Sequence, residues 1–390
     1  MPLPLYLLAV AVFAMGTSEF MLAGLVPDIA AGLDVSIGAA GLLTSAFAVG
    51  MIVGAPLMAA LARRWPARTS LLCFVLAFAV THVVGALTAS FTVLLVTRVI
   101  AALANAGFLA VALTTAATLV ASDRKGRALA VLLSGTTVAT IAGVPGGAVL
   151  GTVLSWRATF WAIALLCLPA AFGVVKGIPG RIPENAPVGS SLRGEIAQLA
   201  KPRLVLVMLL GALVNAATFA TFTFLAPIVT DTVGLDELWV PVVLVLFGVG
   251  SFVGVTLAGR LSDQRPGIVI AAGGPLLLLG WVALAALAAQ PVAFLLLVFV
   301  QGALSFALGS TLIARVLYEA AGAPTMGGSY ATAALNIGAA GGPVVGAATL
   351  GATAGDLGPV RVSAVLVAVA LLIALPLRRL VAPRVRPAIR

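Results

Sequence analysis

The chain has 390 residues, of which 62% are hydrophobic and 9% charged, and its net charge at pH 7 is +10. Soluble domains carry about a quarter charged residues, so this composition and the mean hydropathy of +1.20 exclude a water-soluble globule of this size. The basic balance does not indicate a nucleic-acid partner, because cytoplasmic loops of membrane proteins collect Lys and Arg.

Charges, prolines and short polar turns divide the sequence into apolar runs long enough to cross a bilayer. In the first half the predicted spans are 3–26, 38–62, 69–89, 91–121, 128–153 and 157–176. In the second half they are 203–230, 239–262, 267–289, 291–318, 326–352 and 358–382. The predicted fold class is therefore all-α integral membrane, with twelve transmembrane helices.

Residues 177–202 form a long polar connection that carries three prolines with Gly, Ser and mixed charge. This composition is typical of an interdomain linker, and its last part, from Ser191 to Ala200, is predicted to form a short surface helix. The predicted domains are an N-terminal six-helix bundle at 1–176, a cytoplasmic linker at 177–202, a C-terminal six-helix bundle at 203–382 and a tail at 383–390.

The charges predict the orientation in the membrane. All but Arg98, Arg157 and Arg361 of the 22 basic residues fall on the side that holds both termini. The opposite side holds acids, namely Asp28, Asp34, Asp231, Asp236, Glu237 and Asp356. Because basic residues accumulate in cytoplasmic loops, both termini are predicted to be cytoplasmic, in a multi-pass protein of the bacterial inner membrane.

An internal repeat relates the two halves. A shift of 200 residues aligns residues 47–66 with 247–266 without a gap, with eight of 20 positions identical, and it places Pro27 on Pro227. Two similar six-helix halves around a central cavity resemble the architecture of the major facilitator superfamily, in which one half rocks against the other around a midplane site.

The Gly-Val-Pro-Gly-Gly stretch in span 5 resembles the Gly-Pro motif of drug–proton antiporters in this superfamily. Small residues let span 5 approach its neighbour closely, and the proline removes one backbone hydrogen bond. An ordinary glycine-rich packing seam is the alternative, but Trp156 and Trp161 follow at the spacing of the family. The motif residues are Gly143, Pro145, Gly146 and Gly147.

Further stretches resemble one branch of these drug exporters. The Gly-Thr-Ser-Glu-Phe run at 16–20 and the Gly-Leu-Val-Pro-Asp run at 24–28, with Leu-Leu-Thr-Ser at 42–45, are similar to the actinobacterial chloramphenicol-resistance exporters. The resemblance extends over nearly the whole chain. It implies a monomer that exports chloramphenicol-like drugs in exchange for protons; an exporter of a sugar, a nucleoside or another metabolite is the alternative.

The turn after span 2 departs from the superfamily signature. It has Arg63, followed by Arg64, where an Asp is expected, whereas the second-half copy keeps the acid as Asp263. In the family that Asp caps a helix of the other half. Because a cation does not favour a helix N-terminus, Asp263 is predicted to carry the remaining conformational gate.

Glu19 is the acid that we place well inside a span, where a carboxylate is costly and a functional candidate by default. Glu19 and Arg98 each lie about seven residues, roughly 10 Å, from the outer ends of spans 1 and 4. They resemble the helix-1 acid and helix-4 Arg of proton-coupled exporters, which implies that protonation of Glu19 loosens its interaction with Arg98. Alternatively, Glu19 is a structural partner of a cation, and Arg98 binds substrate or holds helices together.

Other polar residues in the spans are weaker candidates. Asp28 is either a third proton-coupling residue or a solvated residue at a helix end. His82, the lone histidine, is interpreted as a packing residue rather than a proton relay. The uncharged residues Asn105, Asn215, Gln301 and Asn336 are predicted to bind a polar substrate, with bridging between helices as the alternative.

No constellation of a soluble enzyme is found in the sequence: there is no phosphate loop with its Lys, no paired-Cys spacing and no His-rich site. We therefore predict a secondary active transporter rather than an enzyme, with no cofactor or metal. A membrane-embedded lipid enzyme would need clustered acids or histidines at a membrane face, and the two-half repeat disfavours a channel. The energy then comes from an ion gradient, in which each charge moved is worth about 2.3 kcal/mol per 100 mV.

Overall fold

The computed structural model describes residues 2–61, 66–121, 125–178, 192–262, 266–323, 326–350 and 357–375. In these residues every regular element is helical. Eleven of the described helices are long and apolar enough to cross a membrane, and Gly358–Ala374 is a shorter apolar helix. The prediction of an all-α membrane protein with twelve spans is thereby confirmed.

The helices of the first half, α1 to α6, correspond to predicted spans 1 to 6. They are α1 (Leu3–Phe20), α2 (Ile37–Leu61), α3 (Ala67–Leu87), α4 (Phe91–Thr118), α5 (residues 125–153) and α6 (Trp156–Gly177). Helix α5 is composite, because a π turn at Ala139–Gly143 joins Lys125–Val138 to Val144–Val153. The wide turn lies directly before Pro145, which has no N–H to donate and disturbs the regular helical ladder.

The helices of the second half, α7 to α12, correspond to predicted spans 7 to 12. They are α7 (Pro202–Phe222), α8 (Trp239–Ser262), α9 (Pro266–Leu287), α10 (Pro291–Glu319), α11 (Gly327–Thr349) and α12 (Gly358–Ala374). Three of them begin at a proline, and α12 has a proline as its second residue, as expected for a residue whose missing N–H has no intrahelical partner there.

Spans 1 and 7, predicted over 3–26 and 203–230, each contain a break near the end. Helix α1 ends at Phe20 and is followed by a 3₁₀ turn at Met21–Gly24 and a separate helix at Val26–Gly32. Helix α7 ends at Phe222, and the chain resumes at Leu225–Pro227 and Ile228–Thr232. The two breaks precede Pro27 and Pro227, the pair that the repeat relates, and each proline removes a hydrogen bond one turn earlier.

The buried apolar side chains form two clusters. One consists of residues of α1 to α6 and the segments joining them, together with Phe224. The other consists of residues from Leu204 onward, together with four side chains of the first half, Ala23, Ala48, Val144 and Ala148. This division of the core is compatible with the predicted bundles, whose boundaries stay a prediction.

The end of the linker folds as Leu192–Ile196 and a 3₁₀ turn at Ala197–Ala200, and it is anchored on α11. The Glu195 side chain is 1% exposed, and its Oε2 accepts the N–H of Met326 at 2.8 Å, directly before α11. The Tyr330 hydroxyl donates to the Glu195 carbonyl at 2.8 Å. A carboxylate is stabilised at this position because the first N–H groups of a helix are unpaired and carry partial positive charge.

The two halves meet along two pairs of helices, α2 with α11 and α5 with α8. At one end of the first pair Gly38 lies beside Ala347, and at the other the Ser329 hydroxyl donates to the Ala55 carbonyl at 3.3 Å. In the second pair Gly248 of α8 packs directly on the backbone of Thr140. We call these two helix pairs the seams. Any site shared by the halves is therefore enclosed between them.

Candidate functional site

A buried polar cluster joins α1, α3 and α4. Arg98 on α4 is 1% exposed; its Nη1 donates to Ser18 Oγ and its Nη2 to the Ser18 carbonyl, both at 2.8 Å. The His82 Nε2 of α3 lies 2.7 Å from the same Ser18 Oγ, and its Nδ1 lies 2.7 Å from the Phe78 carbonyl. The guanidinium carbon of Arg98 also lies 4.5 Å from the centre of the Phe47 ring on α2.

These contacts stabilise Arg98 within the membrane. Placing an arginine at the bilayer centre costs about 2.5–3.5 kcal/mol on insertion scales. A hydrogen bond to a charged group contributes about 1.5–3 kcal/mol, and a desolvated cation–π contact about 2 kcal/mol. Two such bonds and the Phe47 ring offset much of that cost, but among the described residues Arg98 Nε has no hydrogen-bond partner, so a structural role of Glu19 as partner of this cation stays an alternative.

Glu19 lies in the last turn of α1, half-buried and directly before the helix break. Its carboxylate interacts electrostatically with Arg98, and the Asn105 amide of α4 lies beside it. Among the described residues no ion pair within 4 Å joins Glu19 to Arg98, because the guanidinium donates to the preceding residue, Ser18. The structure thus places both charges at one level without direct contact, and their role in proton coupling stays a prediction.

Asp28 does not belong to this cluster. It is exposed in the short helix Val26–Gly32, on the far side of the break. Partial loss of water around its carboxylate, and then the Glu237 carboxylate of the second half, raise the pKa of Asp28 above its ordinary value. Asp28 therefore interacts electrostatically with the second half, and its coupling role stays a prediction.

An apolar cavity lies between the halves, beside the polar cluster. Side chains nearly fill it in this conformation: the space between its atoms is about 330 Å³, which includes space open to solvent. Five phenylalanines form a chain of ring contacts around it, with Phe222 touching Phe20, Phe219 and Phe247 at centroid distances of 6.5, 6.0 and 4.7 Å. We call this the aromatic cavity; its lining residues are Phe20, Thr140, Val144, Thr218, Phe219, Phe222, Leu244, Phe247, Gly248, Ser251 and Phe306.

The aromatic cavity was not predicted from the sequence. Its phenylalanines come from α1, α7, α8 and α10, and rings on different helices leave no spacing signal along the chain. Phe20 directly follows Glu19, so the coupling candidate and the cavity wall are consecutive residues. The apolar wall of the aromatic cavity therefore adjoins the polar cluster.

The four amides predicted to bind substrate do not line the aromatic cavity. Asn215 donates to the Leu335 carbonyl of α11 at 2.7 Å, and Gln301 donates to the Leu277 carbonyl of α9 at 3.3 Å. Asn336 donates within its own helix to Thr332. These contacts favour the helix-bridging alternative for Asn215 and Gln301, whereas Asn105 lies beside Glu19.

The antiporter-like motif lies where α5 meets α1. A Cβ on Gly143 would overlap Thr17 Oγ1 and stand 3.0 Å from the Phe13 ring. Gly147 lies against α6, where the Thr159 hydroxyl donates to its carbonyl at 2.8 Å. Pro145 is buried, whereas Gly146 is exposed and a Cβ there would meet nothing within 4 Å. Close helix packing thus depends on Gly143 and Gly147 but not on Gly146.

We expect Gly143→Ala to reduce transport strongly and Gly146→Ala to leave it near the parent level. The added methyl group at Gly143 pushes α5 away from Thr17, and overpacking of this kind costs about 1–3 kcal/mol. Transport is measured for both variants at equal membrane content. Adding Thr17→Ala to Gly143→Ala should restore part of the loss; equal activity of the two glycine variants would contradict this account of the motif.

The predicted conformational gate cannot be placed. Arg63, Arg64 and Asp263 lie outside the described residues.

The arrangement defines a class of protein. Twelve apolar helices in two related halves enclose an apolar cavity, with a buried cation and a carboxylate beside it. Such a chain is a multi-pass membrane protein with an apolar cavity between its two halves.

Comparison with known proteins gives the family. The profile of the Major Facilitator Superfamily matches residues 8–343, and the chain belongs to this superfamily. It is 74% identical over 382 residues to the "Chloramphenicol resistance protein" of Streptomyces lividans, which covers 98% of this chain and 97% of that protein. It is 33% identical over 356 residues to the "Inner membrane transport protein YdhP" of Escherichia coli (strain K12), covering 90% of each.

Solved transporter structures share the fold. A bacterial homolog to the human lysosomal transporter Spinster, inward-facing and unoccupied, superposes with a TM-score of 0.74 at 18% identity, over 99% of this chain and 98% of that one. The nucleoside transporter NupG gives 0.75 at 13% identity, over 97% and 99%. The major facilitator fold predicted from the repeat is therefore confirmed, and the chain is a transporter rather than an enzyme.

Proposed function

We propose that this protein exports chloramphenicol and related amphenicols from a bacterial cell in exchange for protons, by alternating access. The observation that carries the substrate is the 74% identity, over nearly the whole chain, to a protein named for chloramphenicol resistance.

The lining of the aromatic cavity suits this substrate class, and in this proposal the two halves separate to admit the drug, because side chains nearly fill the cavity in this conformation. Amphenicols are uncharged molecules with one aromatic ring, and rings prefer offset or edge-on contacts with other rings at 4.5–7 Å. Phe222 and its neighbours offer such faces at the centre of the cavity. The hydroxyl oxygens of Thr140, Thr218 and Ser251 remain available to accept from the hydroxyl and amide groups of the drug.

Glu19 carries the exchanged proton in this proposal. Without the proton, its carboxylate attracts Arg98; with the proton, it releases the guanidinium to Ser18. Phe20 follows Glu19 at the break of α1, so a movement of this turn changes the cavity wall. Exchange of one proton for a neutral molecule moves one charge, worth about 2.3 kcal/mol per 100 mV.

The remaining parts of the proposal concern assembly and orientation. Both termini lie in the cytoplasm, because the basic residues cluster on their side of the membrane. The functional unit is a monomer, since both seams and the aromatic cavity are built from one chain. Asp263 carries the conformational gate on the cytoplasmic side.

The test is chloramphenicol accumulation in cells that express the protein, with and without a proton uncoupler. The proposal predicts low accumulation that rises to the level of empty-vector cells when the uncoupler is added. Unchanged accumulation despite good membrane expression would contradict the substrate and point to export of a metabolite. Low accumulation that is insensitive to the uncoupler would contradict the proton coupling alone.

A further inference from the structure

The hydrogen bonds of the polar cluster fix the proton positions on His82. The Phe78 carbonyl only accepts, so the His82 Nδ1, 2.7 Å away, must donate to it. In a neutral imidazole the other nitrogen then has no proton, and the His82 Nε2 accepts from the Ser18 hydroxyl at 2.7 Å. The lone pairs of Ser18 Oγ are thereby left to accept from Arg98 Nη1. A directed chain runs from Arg98 through Ser18 and His82 to Phe78.

We propose that His82 is a positioning residue for proton exchange. As a neutral acceptor it holds the Ser18 hydroxyl so that Ser18 receives Arg98, and in this way it keeps the guanidinium off the Glu19 carboxylate. The inference rests on the proposed proton coupling and deepens it. It names the group that sets how strongly Ser18 competes with Glu19 for Arg98.

The surroundings of His82 support a fixed, neutral ring. It is 1% exposed and packs between Phe78 and Phe160, with ring centroids 4.3 and 5.7 Å away. A second cation next to the buried Arg98 would be strongly disfavoured. The charged or titratable side chains that interact here are Glu19 of α1, His82 of α3 and Arg98 of α4, while the rings contributed by α2 and α6 are apolar.

Loss of the acceptor would change the partner of Arg98. A serine hydroxyl without another acceptor turns to the carbonyl one helical turn earlier in its own helix. Ser18 Oγ then moves away from Arg98 Nη1, and this nitrogen turns toward Glu19, the next residue, while Nη2 keeps its bond to the Ser18 carbonyl. Glu19 paired with a cation gives up its proton more readily, so a lower pH is needed to protonate it.

The test uses the full chain in liposomes and measures chloramphenicol transport as a function of pH. His82→Leu and Ser18→Ala should each move the pH of half-maximal transport downward by about 0.5–1 unit, which corresponds to one altered hydrogen bond. His82→Gln restores an acceptor and should keep the parent midpoint. Combining Ser18→Ala with His82→Leu should give no further shift, because both act through one chain of contacts.

The controls separate this inference from the proposed function. Transport by the parent chain must depend on pH and lose that dependence in Glu19→Gln; if it does not, the proposed proton coupling fails and the inference fails with it. If the parent behaves as proposed but all variants share its midpoint, the inference alone is overturned. A purely structural role of His82 would lower the yield or thermal stability without moving the midpoint. Should His82→Leu not fold, Ser18→Ala decides the outcome.

Discussion

Cells that express Glu19→Gln are expected to accumulate chloramphenicol like cells without the exporter. Glutamine keeps the shape of the protonated side chain but never binds or releases a proton, so the exchange has no driving force. One charge per drug molecule supports a gradient of about 50-fold per 100 mV, and this whole gradient should be lost. Accumulation of labelled chloramphenicol is measured at equal membrane content of parent and variant.

Asp28→Asn is the matched control for this prediction. Asp28 is exposed beyond the helix break and has no contact with Arg98 or Ser18. Partial loss of water around its carboxylate and the Glu237 carboxylate raise the pKa of Asp28. The carboxyl group is therefore protonated more easily than usual, and its replacement by Asn should change transport less than Glu19→Gln. Equal loss in both variants would contradict the assignment of the exchanged proton to Glu19.

Replacement of Phe222 by Ala is expected to raise the chloramphenicol concentration for half-maximal transport about tenfold, a loss of about 1.4 kcal/mol. Phe222 contacts three of the other rings that line the aromatic cavity, and an aromatic pair contributes about 0.5–1.5 kcal/mol beyond its buried area. The pH of half-maximal transport should stay at the parent value, because no polar contact of Arg98 changes. Both quantities are measured in liposomes.

Phe252→Ala provides the control. Phe252 lies on α8 like Phe247, but its side chain is 48% exposed and does not line the aromatic cavity. Its replacement removes the same ring from the same helix, on a face turned away from the cavity. If both variants lose affinity equally, the effect of Phe222→Ala reflects helix packing rather than drug binding.

The sequence is sufficient to predict the spans, because the length of each apolar run and the positions of the charges between runs depend only on the order of residues along the chain. The positions of most helix ends follow within a few residues. The breaks of α1 and α7 were missed although the repeat aligns Pro27 with Pro227. A proline near the end of an apolar run does not always break a helix, because the carbonyl that it leaves unpaired can find another partner.

The polar cluster shows what the depth of a residue in the membrane can predict and what it cannot. A rise of 1.5 Å per residue places Glu19 and Arg98 at one level, but it does not give the rotation of α1 about its axis. One residue corresponds to about 100° of rotation, and this difference directs Arg98 to Ser18 instead of Glu19. The residues near His82 in the sequence do not show which helix packs against it. His82 was therefore interpreted as a packing residue.

The candidate substrate site was predicted less well, because binding to an apolar drug leaves no distinctive residue type. Amides were chosen as substrate ligands for their polarity, yet Asn215 and Gln301 contact backbone carbonyls of neighbouring helices. The phenylalanines that form the cavity are common apolar residues, and only the packing of α1 against α7, α8 and α10 brings them together.

The measurement that tests the central claim most directly is proton movement caused by the drug in liposomes with an acidic lumen. With the parent protein, external chloramphenicol should accelerate the loss of the pH gradient as drug enters and protons leave, and Glu19→Gln should abolish this effect. Accumulation of chloramphenicol by the parent protein without any change in the rate of proton efflux would contradict exchange of the drug against protons.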